Sequence, residues 1–172
     1  MKVVLVRVDD RLIHGQVAVG WTRTVGATMI VVANDEVAGN PAQRTLLRMA
    51  TPAGVKASIL TVAEAGTQLS EKKFAGENVL VLVRDPQSLV RLMEAGFKPT
   101  KINIGNVRAA EGRKQLTREV HASPQELDAW RKLDAAGILL EAQWLPDQLK
   151  TNFNQVIRAL GPSVGQEGTD RT

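Results

Sequence analysis

The sequence predicts one α/β domain, at residues 1–160, built on an open, doubly wound, mainly parallel sheet of about six or seven strands with helices on both faces. Short apolar runs rich in β-branched residues alternate repeatedly with helix-like segments, as in successive βαβ units. The runs are almost continuously apolar, which is typical of strands that helices cover on both faces. A length of 172 residues also matches a single domain.

The predicted strands are the apolar runs themselves, of which the clearest read VVLVRV, TMIVVAN and NVLVLVR. Their spacing leaves room for a helix after most of them, so that neighbouring strands run parallel. We predict strands at residues 3–8, 28–34, 56–61, 78–84, 101–105, 118–122 and 138–144.

The predicted helices are bounded by recognisable start and stop signals. Pro86 and Pro124 suit the first turn of a helix, where a backbone N–H is not needed, and Gly96 suits a helix end. Ser123 and Glu126 form the pattern of a capping box. We predict helices at residues 16–25, 41–50, 62–69, from 86 to just before 96, 124–136 and 146–160.

Composition excludes several classes of site and partner. The chain has no cysteine and two histidines, His14 and His121, so we expect neither a disulfide nor a metal site. The net charge of +4 is not concentrated in Lys/Arg blocks, and the six aromatic residues do not alternate with basic ones, so we expect no nucleic-acid binding. No apolar stretch reaches the ~18 residues of a membrane span, and we expect a cytoplasmic protein.

Polar side chains follow the carboxyl ends of several predicted strands, where open parallel sheets bind ligands. The densest group is the segment RVDDRLIHGQV, residues 7–17, which joins the first strand to the first helix. A loop of this kind directs backbone N–H groups and the positive end of a helix dipole at an anion. His14 supplies a nucleophilic nitrogen, Arg11 three residues earlier can hold phosphoryl oxygens, and Gly15 leaves space for approach.

The same residues allow a structural interpretation, which the spacing alone leaves open. His14 would then cap the helix or bridge to Asp9 or Asp10. Both carboxylates also repel a phosphate, so a phosphate site requires one of them to pair with Arg11 or Arg7, or to orient the imidazole.

The segment RVDDRLIHGQV resembles the active-site signature of the IIB component of the bacterial sugar phosphotransferase system, mannose/fructose/sorbose family. The resemblance continues through Trp21 and through the segments IVVANDEVA at 30–38, LLRMATPAGVKASIL at 46–60 and KINIGN at 101–106. It covers roughly residues 1–155. It implies an open, mainly parallel α/β fold, which agrees with the strand pattern.

The resemblance also implies a reaction. His14 would accept a phosphoryl group, through its Nδ1 atom, from a phosphohistidine on a IIA protein or domain. It would pass the group to a sugar that enters through the membrane components IIC and IID. Arg11 would clamp the phosphate, and the family implies no metal or organic cofactor. Backbone amides around His14 would complete the cradle, with Asp9 and the loop residues Asp10, Leu12, Ile13, Gly15 and Gln16.

Other polar residues at strand ends have two interpretations. Asn34, Asp35 and Arg84 either support the His14 loop or serve only as helix caps and turn residues. A basic face around Arg7, Arg11 and Arg84 would suit an acidic donor protein. We expect the His14 site to be shallow and exposed, because donor and acceptor must both reach it.

Three further patterns carry no chemistry in our interpretation. Arg118 precedes His121 by three residues, but no glycine and no strand-to-helix turn follow. Residues 161–165 match G-x-S-x-G but open a polar, glycine-rich segment, 161–172, that we predict to be a disordered tail. Gly15 and Gly20 have the spacing of a nucleotide-binding loop, but Trp21 and Thr22 replace its Lys and Ser/Thr.

Two alternatives to sugar transport stay open. The chain could be a regulatory phosphocarrier whose phosphorylation state signals to a partner, or a non-catalytic module that binds an anion or a protein. The chain departs from the family pattern at some positions. Asn106 follows Gly105 where a second glycine is usual, and Asn40 stands where an Asp is common. The sequence does not identify the sugar, and it is compatible with a homodimer.

Overall fold

The computed structural model of the chain describes residues 1–161, apart from the side chains of Gln16 and Val17. The predicted tail and most of the G-x-S-x-G pattern therefore lie outside the described residues. None of the helices within residues 1–161 is long and apolar enough to cross a membrane.

A seven-stranded sheet forms the centre of the fold, in the order β3-β2-β4-β1-β5-β8-β9. All neighbouring pairs are parallel except β8 and β9, which are antiparallel. This confirms the predicted open, mainly parallel α/β sheet. Its strands are β1 (Lys2–Val8), β2 (Met29–Ala33), β3 (Lys56–Leu60), β4 (Asn78–Val83), β5 (Lys101–Ile104), β8 (Leu139–Ala142) and β9 (Thr151–Asn152).

Helices cover both faces of the sheet. One face packs Trp21 against a cluster that includes Ile30 and Leu80, and the other packs Trp130 and Phe153 against a larger cluster. Alternate residues of one strand enter different clusters because successive side chains point to opposite faces. The helices are α1 (Gly15–Val25), α2 (Asp35–Ala38), α3 (Pro41–Met49), α4 (Val62–Ser70), α5 (Pro86–Glu94), α6 (Pro124–Ala135) and α7 (Phe153–Ala159).

Three sequence predictions differ from the structure. The short helix α2 was not predicted; the Asn34 side chain caps it by accepting a hydrogen bond from the N–H of Val37 at 3.0 Å. The strand predicted at 118–122 shrinks to β7 (His121–Ala122), which pairs with β6 (Lys114–Gln115) outside the main sheet. Both differences concern short elements, which local periodicity does not reveal.

The helix predicted at 146–160 is wrong in its first half. Gln143 holds this segment in a loop, because its Nε2 donates to the carbonyl oxygens of Pro146 at 3.1 Å and Gln148 at 2.8 Å. The chain then forms β9, and Asn152 caps α7 by accepting from the N–H of Gln155. Tertiary contacts thus displace the helix start to Phe153.

Strand β1 lies where the chain changes direction across the sheet. The chain runs from β1 to β2 and β3 on one side, and β4 then leads to β5 and β8 on the other. Loops that leave the carboxyl ends on the two sides of such a point separate and form a crevice. The loop after β1 occupies this position.

Candidate functional site

His14 lies immediately before the first turn of α1, at the carboxyl end of β1. Its backbone is extended, and no side chain caps the helix or places a carboxylate in the first turn. The other six helices of residues 1–161 all have a side-chain cap, from Asn34, Asn40, Thr61, Asp85, Ser123 and Asn152. The first-turn N–H groups of α1 are therefore open to an anion.

The His14 imidazole is held by a strained backbone. Its Nδ1 lies 2.9 Å from the carbonyl oxygen of Leu12, which can only accept, so Nδ1 carries a proton. In the neutral ring the lone pair is then on Nε2, a buried atom with no hydrogen-bond partner among the described residues. Leu12 adopts φ 59°, a left-handed conformation that a leucine rarely takes, and this conformation presents its carbonyl to the ring.

Buried apolar side chains anchor the loop on which this strain depends. Leu12 and Ile13 are each 2% exposed and belong to the core cluster beneath α1. The N–H of Leu12 also donates to the carbonyl oxygen of Asp9 at 3.0 Å. The His14 side chain itself is 20% exposed, so the site is less open than the sequence predicted.

Asp9 links the His14 loop to a buried arginine. Its Oδ2 lies 3.1 Å from Nη2 of Arg7, and both side chains are fully buried. Its Oδ1 accepts from the N–H of Arg11 at 3.3 Å and lies 3.9 Å from Nδ1 of His14. Arg7 thus neutralises the carboxylate that faces the imidazole.

The Arg7 guanidinium joins three parts of the fold. It donates to Oδ1 of Asn103 on β5 and to the carbonyl oxygens of Gln143 and Trp144 after β8, both at 3.0 Å. It also lies 5.0 Å from the centre of the Trp21 ring. Burial lowers the pKa of Arg7 to about 10, against the opposing effect of Asp9.

The pairing of Asp9 with Arg7 is one of the alternatives that the sequence left open, but the burial of Arg7 and the role of Gly105 were not predicted. The predicted basic face is wrong for Arg7, which is 0% exposed. Gly105 has no predicted role of its own in the sequence analysis. A Cβ at this position would overlap the Arg7 guanidinium and lie 2.8 Å from Oδ2 of Asp9. The one sequence feature that could have indicated a buried arginine is the position of Arg7 within an otherwise apolar strand.

Asp10 and Arg11 follow Asp9 in the loop, and their side chains differ in exposure, since that of Asp10 is only 8% exposed. Oδ2 of Asp10 accepts from Nε of Arg108 at 2.8 Å and from its N–H at 3.1 Å, and this pairing raises the pKa of Arg108. Arg108 was not predicted. The Arg11 side chain is exposed, and none of the described groups accepts a hydrogen bond from its guanidinium. An unpaired guanidinium therefore stands three residues before His14.

This geometry combines an uncapped helix start, an imidazole and a free guanidinium, which together can hold and exchange an anionic group. A comparison with known families agrees: the model of the PTS system sorbose subfamily IIB component, in which PTS denotes the phosphotransferase system, matches residues 3–164. The chain belongs to this family.

Curated relatives of this IIB chain include proteins of different sugar specificity. The sorbose-specific EIIB component of Klebsiella pneumoniae is 36% identical over 153 residues, which cover 89% of this chain and 93% of that protein. The fructose-specific EIIB component of Bacillus subtilis is 32% identical, with coverage of 92% and 97%. The mannose-specific EIIAB component of Escherichia coli is 39% identical over 91% of this chain. The chain spans about half (49%) of the length of that protein.

A solved structure agrees with the family assignment. The IIBSor domain of the sorbose permease from Klebsiella pneumoniae superposes with a TM-score of 0.86 at 33% identity, covering 92% of this chain and 98% of that domain. Phosphoryl transfer is the general function of the IIB family, whose members are phosphotransferases. IIB components in general work with IIA and with membrane IIC and IID partners.

The remaining predicted residues of the IIB chain have partners away from the His14 loop. Asn34 caps α2, which agrees with the capping interpretation. Asp35 accepts from the N–H of Val62 at 2.8 Å and pairs with Arg91 at 2.6 Å, and these contacts lower its pKa. Arg84 pairs with Glu36 on α2 at 2.9 Å. Support of the His14 loop by Asn34, Asp35 or Arg84 would therefore be indirect.

His121, the other histidine of this IIB chain, lies in a different environment. Its Nδ1 lies 3.2 Å from the carbonyl oxygen of Val107. The following helix, α6, is closed by the predicted capping box of Ser123 and Glu126, so its first turn offers no anion site. The described residues also contain no group of three or more His, Asp or Glu side chains that could hold a metal.

Proposed function

We propose that this chain is the IIB phosphocarrier of a sugar phosphotransferase system, with His14 as the phosphoryl acceptor. The observation that carries the proposal is the position of His14 at the start of α1, whose first turn lacks a side-chain cap. An incoming phosphoryl group at this position meets backbone N–H groups and the positive end of the helix dipole.

Each loop residue has a defined part in the proposed transfer. A ring nitrogen of His14 attacks phosphorus as the phosphorus–nitrogen bond of the IIA phosphohistidine breaks, and the donor imidazole leaves with that electron pair. Arg11 holds the oxygens of the moving group, and the first-turn amides of α1 share their charge. Asp9, neutralised by Arg7, keeps the imidazole ring oriented.

The contact between Nδ1 of His14 and Leu12 places a condition on the transfer. Nδ1 carries a proton while it donates to the Leu12 carbonyl oxygen, so it is not a nucleophile in this conformation. Acceptance at Nδ1, which the family resemblance implies, therefore requires the ring to leave Leu12 and to carry its proton on Nε2. The docking of the donor would supply the contacts that favour this change.

The proposal extends to the partners of the reaction. The donor is a phosphorylated IIA protein or domain, and the acceptor is a sugar that enters through membrane IIC and IID components. The chain would act in the cytoplasm, at the inner face of the membrane. The relatives named above differ in sugar, so the sugar is left unassigned.

The test is phosphorylation by phosphoenolpyruvate, the two general phosphotransferase proteins and a phosphorylated IIA donor, followed by intact mass. Wild type is expected to gain one acid-labile, alkali-stable phosphoryl group. His14→Ala is expected to gain none, and the matched control His121→Ala to behave as wild type. A label retained in His14→Ala would overturn the site. An unlabelled wild type beside a fully phosphorylated IIA would favour a non-catalytic binding module.

A second step separates transport from signalling. Membranes that contain the cognate IIC and IID components are added to the phosphorylated chain with candidate sugars. Loss of the label together with formation of a sugar phosphate is the result expected of a transport component. A label that persists with every sugar would favour the regulatory phosphocarrier.

A further inference from the structure

A groove of about 550 Å³ opens between the second half of α1 and the strands β5 and β8. The hydrophobic cluster on this face of the sheet contains no residue of β5 or β8, so these strands have no apolar layer above them there. The groove has the volume of a small-molecule site. The residues that bear on its chemistry are Leu5, Trp21, Lys98, Lys101, Asn103 and Lys150.

The floor of the groove contains a buried amide with an unused donor. Asn103 lines the groove and is 2% exposed. Its Oδ1 accepts a hydrogen bond from Arg7, whereas no group in residues 1–161 accepts one from its Nδ2. Nδ2 is therefore a donor that no described group uses at the floor of the groove, and it can donate to a ligand that carries an acceptor.

The rim of the groove is positively charged. Lys101 and Lys150 share one carboxylate, that of Glu141, at 2.5 Å and 3.4 Å. Lys98 is exposed and has no ion-pair partner among the described residues. Three ammonium groups against one carboxylate attract an anion, and a doubly charged group matches this excess best.

We propose that this groove binds a small phosphomonoester the size of a hexose phosphate. The phosphate would accept from Asn103 Nδ2 and face the rim lysines. The apolar wall of Leu5 and Trp21 would cover the less polar face of the attached group. The site is concave and has a hydrogen-bond donor at its floor, which suits a small ligand better than a flat protein partner.

The groove is connected to His14 by direct contacts. Asn103 accepts from Arg7, Arg7 pairs with Asp9, and Asp9 faces the imidazole of His14. An anion beside Asn103 also attracts the Arg7 guanidinium and so weakens its hold on Asp9. The ligand would therefore report to the phosphorylation site, and a sugar phosphate is the class of product that phosphotransfer to a sugar generates. This link to His14 rests on the proposed function, whereas binding to the groove does not.

The binding test uses backbone amide NMR on wild type, with glucose 6-phosphate as the probe and glucose and inorganic phosphate as comparisons. Saturable shifts at Lys101, Asn103 and Glu141 are expected, with glucose 6-phosphate binding more tightly than either comparison. Equally tight binding of inorganic phosphate would show that the groove does not recognise the sugar part of the ester. Equally tight binding of glucose would show that it does not recognise the phosphate. Either result would overturn the proposal of a phosphomonoester site. Shifts confined to the loop at residues 9–14 would overturn the groove as the site.

Three variants sharpen this test. Asn103→Asp keeps an acceptor for Arg7 but replaces the donor by a negative oxygen, so affinity is expected to fall by more than about tenfold. Lys98→Gln should weaken binding roughly threefold. Lys132→Gln, an exposed lysine on α6 at the opposite face, is the matched control and should change nothing. Equal effects of Lys98→Gln and Lys132→Gln would overturn a specific site.

The link to the phosphorylation site is read from the ¹⁵N resonances of the His14 ring. Glucose 6-phosphate is expected to move them in wild type and not in Asn103→Asp; unchanged resonances in saturated wild type would overturn the link. The chemical-shift changes that glucose 6-phosphate causes in the groove are also measured in His14→Ala, where they should persist because binding to the groove does not depend on His14. Groove binding without any phosphorylation of wild type would contradict the proposed function alone. Phosphorylation of wild type without groove binding would contradict this inference alone.

Discussion

Gly105→Ala is expected to dislodge the buried arginine that supports the His14 loop. The added Cβ would occupy the position of the Arg7 guanidinium and lie 2.8 Å from Oδ2 of Asp9. Backbone hydrogen bonds hold Gly105 in place, since its N–H donates to the carbonyl oxygen of Val8 at 2.8 Å. We therefore expect the Arg7 side chain to move rather than the backbone at Gly105, which follows β5 directly.

The expected loss of stability comes from the carboxylate that Arg7 would leave unpaired. Asp9 is fully buried, and its nearest cationic partner is Arg7. Removing one member of a buried ion pair typically costs about 3–5 kcal/mol, and forced overpacking costs about 1–3 kcal/mol by itself. We expect a loss of at least about 3 kcal/mol, which corresponds to a decrease in Tm of about 6–12 °C in a protein of this size.

Urea unfolding followed by tryptophan fluorescence measures this loss. Gly20→Ala is the matched control, because the nearest atom to its added Cβ is 3.9 Å away and alanine favours the α1 helix; it should stabilise by up to about 1 kcal/mol. In an Arg7→Ala background, Gly105→Ala should cost clearly less than in wild type, since the guanidinium is absent and only the carboxylate of Asp9, 2.8 Å from the added Cβ, has to adjust. An equal cost of Gly105→Ala in both backgrounds would refute the reasoning.

Three other variants probe separate features. Arg11→Gln should slow phosphorylation of His14 roughly ten- to a hundredfold, by loss of a charge-assisted contact, while Arg23→Gln on α1 should not; equal rates for all three proteins would exclude the clamp. Gly66→Ala should destabilise by about 1–3 kcal/mol in urea without reducing phosphorylation, because its Cβ would overlap the neighbouring helix α5. Arg158 of α7 pairs with Asp134 and lowers the pKa of that carboxyl. This contribution is complete above about pH 4 and disappears as the pH falls through the lowered pKa; Asp134→Asn should flatten the loss of stability below about pH 4 in acid titrations.

Local signals explain which parts of the fold were predictable. The capping box of Ser123 and Glu126 lies within four residues of sequence and forms as predicted at the start of α6. The helix predicted from residue 146 was wrong because Gln143 holds the following loop through tertiary hydrogen bonds. A helical pattern there does not outweigh contacts that depend on the position of β8.

The same distinction between local signals and tertiary contacts applies to the residues of the candidate site. The loop containing Arg11 and His14 was predicted as the site from the sequence alone, since its residues are consecutive and their chemistry is specific; its role in phosphoryl transfer stays a prediction. The ion pair of Asp10 with Arg108 joins residues 98 apart in sequence, and no periodicity indicates it. Of the two interpretations of Asn34 and Arg84, support of the loop does not correspond to direct contacts, because side chains at the same sheet edge can point to different partners.

The sequence by itself determined the alternation of strands and helices, the parallel sheet and the segment for which we propose phosphoryl chemistry, because periodicity, caps and motifs act over a few neighbouring residues. Only the tertiary structure decided that Arg7 is a buried support rather than part of a basic face. Its guanidinium lies among groups from β5 and β8, with Asn103 96 residues away, and Gly105 provides the space for it. Such contacts exist only once the sheet has brought these strands together.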